Sequence, residues 1–276
     1  MSDTFRTQPA HLVPIVASLL FGVFCAYLLL LSALEVYQVT PFQEGIGSIG
    51  NAFYFVVLTA VGATMLYILL KRRKLALISV IIGFALTSAF FLLSFIYLIA
   101  LFSIFPVPHA SLLVLVLSIS LTIVGDLAIF RVRNVMITNT TVILLGGGLG
   151  AFLGREIPPL SAMLILYALA VYDIFAVYRG PVGKIARNGM EKLRGLSYSF
   201  KDAQMGLGDL TFYSMLISLV FFYAGPVYCL VSAIGVLAGA FFAFKMLEKK
   251  GIFPGLPFPI ALGLLPLIVW FLMPSS

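Results

Sequence analysis

Apolar residues run in long stretches along this chain, separated by short polar segments. A helix needs about 20 apolar residues to cross the hydrocarbon core of a bilayer. Nine stretches approach or meet that length: 13–34, 51–70, 75–101, 110–130, 136–153, 160–178, 206–224, 226–244 and 257–273. Short alternating segments, the signature of a membrane β-barrel, are not the pattern here. The expected fold is therefore all-α, a polytopic membrane protein with nine transmembrane helices whose backbone polar groups are satisfied within each span. The fifth stretch carries Gly146-Gly147-Gly148 and Gly150, which let a neighbouring helix approach closely. Gly251-Ile252-Phe253-Pro254-Gly255, between the last two stretches, reads as a turn. The first stretch is longer than the ~7–15 residues of a signal h-region, so it reads as a retained span.

Composition agrees. Of 276 residues, 62% are hydrophobic and 10% charged, and the mean hydropathy is +1.15. The net charge of +7 does not signal nucleic-acid binding, because the cations sit in clusters between apolar runs. With the N-terminus inside, 16 of the 17 Lys and Arg residues fall in inner segments, and only Arg155 lies outside. The positive-inside rule then places the N-terminus and the long 179–205 loop in the cytoplasm and the C-terminus outside. Cys25 and Cys229 fall within apolar stretches and read as buried hydrophobes. His11 and His109 lie near span ends and read as interfacial residues. No metal site and no cofactor are expected.

No internal repeat is visible, and 1–276 reads as a single membrane domain. Its parts are the N-terminal helices (1–153), the sixth span (154–178), the cytoplasmic loop (179–205) and the C-terminal helices (206–276). The basic loop has two compatible readings, contact with anionic headgroups or a gate between the spans it joins.

Three acids lie inside apolar stretches: Asp126, Asp173 and Asp209. Membrane-embedded charge is expensive and usually functional. Asp173 is six residues before Arg179, about 9 Å from the inner boundary. Asp209 lies a few residues into the next span, which starts from the same side. Contacting helices are about 8–10 Å apart, so the two carboxylates can meet at matching depth. Such a pair holds one proton. The ionised member can deprotonate water while the protonated member polarises a carbonyl. Asp126, five residues before Arg131, can pair with Arg131 or Arg133 or be a third acid close to the dyad; the structural reading is the expected one.

Tyr172-Asp173 in one span and Gly206-Leu207-Gly208-Asp209 in the next resemble the motifs of the presenilin and signal-peptide-peptidase group of intramembrane aspartyl proteases. The resemblance implies nine spans, with Asp173 and Asp209 as the catalytic dyad. It implies that Tyr172, Gly206, Leu207 and Gly208 shape the site. The family's Pro-Ala-Leu motif is sought at Pro257-Phe258-Pro259-Ile260-Ala261-Leu262, with Pro257, Pro259, Ala261 and Leu262 as candidate substrate-binding residues. The N-inside orientation and compact chain are most similar to a microbial presenilin homologue. The implied activity is hydrolysis of peptide bonds in or near transmembrane helices, with substrate held as an extended strand near 179–205 and the last span. The partners implied are membrane-protein substrates and the bilayer. No obligatory partner subunit is indicated, and a homo-oligomer stays open. The alternative from another class is a proton- or cation-coupled transporter using intramembrane carboxylates.

Overall fold

The computed structural model describes residues 6–132, 134–180, 182–183, 195–200 and 203–273. Among these, nine α-helices follow one another: α1 (Val13–Leu31), α2 (Gly47–Lys71), α3 (Leu75–Ile104), α4 (Ala110–Phe130), α5 (Val135–Glu156), α6 (Pro159–Tyr178), α7 (Leu207–Ala224), α8 (Pro226–Lys250) and α9 (Pro257–Leu272). Eight are long and apolar enough to cross a membrane, and α9 is a shorter apolar helix of 16 residues. The nine expected stretches thus correspond one to one with helices. Local signals explain several starts. Proline occupies the first turn of α1, α6, α8 and α9, where its missing N–H leaves no bond unmade. Asn134 caps α5, its side chain accepting from the Met136 N–H at 2.9 Å.

Helix α7 is the centre of the bundle. It packs against α1, α5, α6, α8 and α9, and Leu210, Tyr213, Met215, Leu216 and Leu219 are fully enclosed. The tightest contact is with α5. A Cβ on Gly150 would sit 2.5 Å from the Thr211 carbonyl oxygen and 2.7 Å from the Met215 nitrogen, both backbone atoms. In a membrane, helix association rests on this kind of close backbone approach. Helix α2 lies at the periphery, with none of its apolar window buried. It is held at one end by polar bonds: Asn51 donates to Ser161 Oγ (3.0 Å) and to the Phe42 carbonyl (2.9 Å), and Ser161 donates to Ser48 (2.9 Å).

Arg155, the one cation outside the basic clusters, has a structural task. Its guanidinium donates to the carbonyls of Leu29 (2.7 Å) and Leu34, capping the end of α1. The adjoining Glu156 accepts from the Tyr37 N–H at 2.6 Å. Cys25 and Cys229 are buried. His11 is also buried: its Nδ1 accepts from the Gln8 N–H (3.1 Å), and its ring lies 5.9 Å from that of Phe244.

The 179–205 segment contains structure that hydropathy did not reveal. Strands β1 (Ser197–Phe200) and β2 (Ala203–Gly206) form an antiparallel hairpin, Ser197 opposite Gly206. Lys184, Arg187, Lys192, Arg194 and Lys201 of the loop lie outside the described residues. Alternating Tyr198 and Phe200, followed by a two-residue link to β2, was the available signal.

Replacing Gly150 with Leu should force α5 and α7 apart at the centre of the bundle. The expected cost is about 1–3 kcal/mol, typical of overpacking. A thermal melt in detergent checks it: a clearly lower midpoint is expected, and an unchanged one contradicts this packing.

Candidate active site

Asp173 projects from α6 five residues before the helix ends, and Asp209 is in the first turn of α7. The chain leaves β2 at Gly206, whose extended backbone (φ −72°, ψ 148°) makes it both the last strand residue and the N-cap of α7. The Leu207 N–H, free of any intrahelical acceptor, donates to the Leu196 carbonyl at 2.8 Å. Strand and helix thus share a junction, and Asp209 sits at the positive end of the α7 dipole.

The turn before α9 meets both acids. The Leu256 N–H donates to Asp173 Oδ2 at 3.0 Å, and the Gly255 backbone also hydrogen-bonds that carboxylate. On its other side, Gly255 lies against Asp209: a Cβ there would be 2.9 Å from Oδ2 and 3.3 Å from Oδ1. Asp209 draws on the backbone of Gly206. The two acids, from consecutive spans, therefore flank one backbone segment of a third element.

Both carboxylates open onto a cavity of about 680 Å³. Gln204, Met205 and Gly206 of β2 form one wall; Ala243, Phe244 and Leu247 of α8 face it. Lys250 is at the margin, its Nζ 5.7 Å from the centre of the Phe253 ring and 6.0 Å from that of Tyr178. Tyr198, on β1, is buried; burial pushes its hydroxyl pKa up, and the charge of Asp209 adds to the effect.

Of the expected site residues, four line the cavity and the others do not. Asp173, Asp209, Gly206 and Gly208 line the cavity. Tyr172 is half-buried beside Asp173, and Leu207 is buried behind the strand-helix junction; neither lines it. Nor do Pro257, Pro259, Ala261 and Leu262, the Pro-Ala-Leu candidates. Asp173 takes its hydrogen bonds from the backbone just before them. Leu256 is the N-cap of α9, so its N–H is free to serve Asp173. Pro257 and Pro259 have no N–H, and Ala261 and Leu262 are inside the helix. Pro259 instead seats α9 on α8, its nitrogen 2.5 Å from where a Gly239 Cβ would be. The residues missed were Gly255 and Leu256. Pro254-Gly255-Leu256 has the Pro-x-Leu pattern with glycine in place of alanine.

Asp126 stands apart. Its Oδ2 accepts from Thr87 Oγ1 at 2.7 Å, linking α3 to α4. That partner comes from across the helix pair, not from Arg131, which is exposed; Arg133 lies outside the described residues.

Nine apolar helices among the described residues, with two acids on consecutive helices that open onto one cavity, define a polytopic helical membrane protein. The presenilin family profile matches residues 12–186. The chain belongs to the presenilin family and is an integral membrane protein. That match includes Asp173 and ends before Asp209. Presenilin-B of Dictyostelium discoideum is 30% identical over 159 residues, which are 52% of this chain and 32% of that relative's length. The chain thus aligns with about a third of this larger protein. Two crystal forms of a presenilin family intramembrane aspartate protease share the fold at 20% identity. One superposes with a TM-score of 0.64 over 94% of this chain and 95% of the other; the second has a TM-score of 0.62 over 93% and 98%. Family membership leaves the transporter alternative without support.

If the cavity admits water, a cysteine placed in its wall should react with a water-soluble thiol reagent. Leu247→Cys is expected to label at least about tenfold faster than the buried native Cys25 and Cys229. Equal rates would mean that the space is closed.

Proposed function

We propose that the protein is an intramembrane aspartic endopeptidase in which Asp173 and Asp209 are the catalytic dyad. The observation that carries this reading is the convergence of both carboxylates on one cavity and one backbone turn. One proton shared by the pair supplies an acid and a base without a metal or cofactor. The ionised carboxylate takes a proton from water as the water oxygen attacks the scissile carbonyl carbon. The protonated partner hydrogen-bonds the carbonyl oxygen as negative charge develops there. Collapse of the tetrahedral intermediate breaks the C–N bond, and the leaving amine takes a proton from the dyad.

The substrates are transmembrane helices of other membrane proteins. A helical peptide bond has its carbonyl engaged and hidden from water, so cleavage needs local unwinding. The hairpin suits that step. Among the described residues β2 pairs with β1 alone, and Gln204–Gly206 face the cavity. An unwound segment can add to the free edge of β2 as a third strand, which lays its carbonyls beside Asp209. Gly206 and Gly208 keep that approach clear, Tyr172 supports Asp173, and Pro254-Gly255-Leu256 fill the Pro-Ala-Leu role. By the positive-inside rule the N-terminus and hairpin are cytoplasmic and the C-terminus is outside.

Purified protein in liposomes with a tagged single-span substrate tests this. Asp173→Ala and Asp209→Ala should each abolish product, because members of a catalytic unit do not act independently. Cleavage surviving both single substitutions would refute the assignment. Asp126→Asn should stay within about threefold of the parent rate, since the amide can still accept from Thr87. A loss as deep as that of the dyad variants would make Asp126 a third functional acid. The rate should also be bell-shaped in pH, falling when the pair gains its second proton or loses its shared one.

A further inference from the structure

Tyr213 is fully buried in α7, one helical turn beyond Asp209, and lines the same cavity. Its hydroxyl donates to the Gly255 carbonyl at 2.8 Å. Gly255 is the residue whose Cα lies against Asp209 and whose neighbouring peptide N–H, on Leu256, holds Asp173. Resting on the dyad reading above, we propose that Tyr213 is a positioning residue that sets the geometry of the dyad through the Gly255 peptide.

The Tyr213 bond fixes the Gly255 carbonyl, and the planar peptide then fixes where the Leu256 N–H points. That N–H is the direct partner of Asp173. Asp209 and Tyr213 share one rigid helix, so the same bond ties the Asp209 helix to the support of Asp173. Among the described residues, no other hydroxyl donates to this carbonyl. Leaving this arrangement would strip a buried phenol of its hydrogen bond, which is unfavourable. The turn is therefore held in one of the few arrangements in which both acids are served.

Tyr213→Phe removes one oxygen and keeps the ring. Two readouts are taken on the purified full chain. Hydrogen exchange over residues 252–258 needs no catalytic activity and should accelerate at least about tenfold when the bond is lost. Cleavage should show kcat reduced about 10–100-fold, KM within about twofold, and an altered pH profile. A purely structural role would lower thermal stability without moving the pH profile of the folded fraction. Unchanged exchange, or an unchanged kcat and pH profile, would overturn the proposal. If the Phe variant does not fold, 3-fluorotyrosine at 213 keeps ring and hydroxyl but changes donor strength. Exchange and kcat should then shift together, and insensitivity of both would overturn it. If the parent protein itself does not cleave, the protease reading fails, and the exchange result still decides the tether.

Discussion

The backbone of Gly255 and Leu256 lies between two carboxylates that come from different helices. Leu256 donates its N–H to Asp173, and Gly255 offers Asp209 a surface with no side chain. A carboxylate taken out of water needs hydrogen bonds to compensate its lost hydration. Here the donors are the Leu256 N–H, free at the start of α9, and the Gly255 backbone beside it. The depth of Asp173, the start of α9 and the absence of a side chain at 255 are consequences of that one contact.

The rest of the bundle can be understood as what keeps the contact in register. Helix α7 carries Asp209 and is enclosed by five neighbours. Gly150 allows α5 to touch its backbone, and Gly239 does the same for α9 on α8. These close approaches leave little freedom for the α7 and α9 starts to slide. By contrast α2 lies at the periphery, packed on α6 with none of its apolar window fully buried.

Much of this was legible in the sequence because hydrocarbon leaves few options. All nine apolar stretches became helices, and the two acids at matching depth did converge. What escaped was local and depended on backbone hydrogen bonding. The Pro259-Ile260-Ala261-Leu262 string carries the side chains closest to the family motif, yet it is interior helix with no N–H to spare. Pro254-Gly255-Leu256 supplies the N–H because of where the helix begins. The β-hairpin escaped because each strand has only four residues, too few to rise above a basic loop. Asp126 was expected to pair with Arg131 or Arg133, but its hydrogen bond comes from Thr87, which lies on another helix and has no sequence signature.

The central claim is that Asp173 and Asp209 act as one unit on a tetrahedral carbon. A peptide isostere with a hydroxyl in place of the scissile carbonyl imitates that species, and transition-state mimics bind about 10²–10⁸-fold more tightly than substrates. The decisive measurement is its affinity for the purified protein and for the Asp173→Asn and Asp209→Asn variants. Tight binding to the parent, weakened at least about a hundredfold by either substitution, is the predicted result. Binding that is indifferent to both acids would contradict the account.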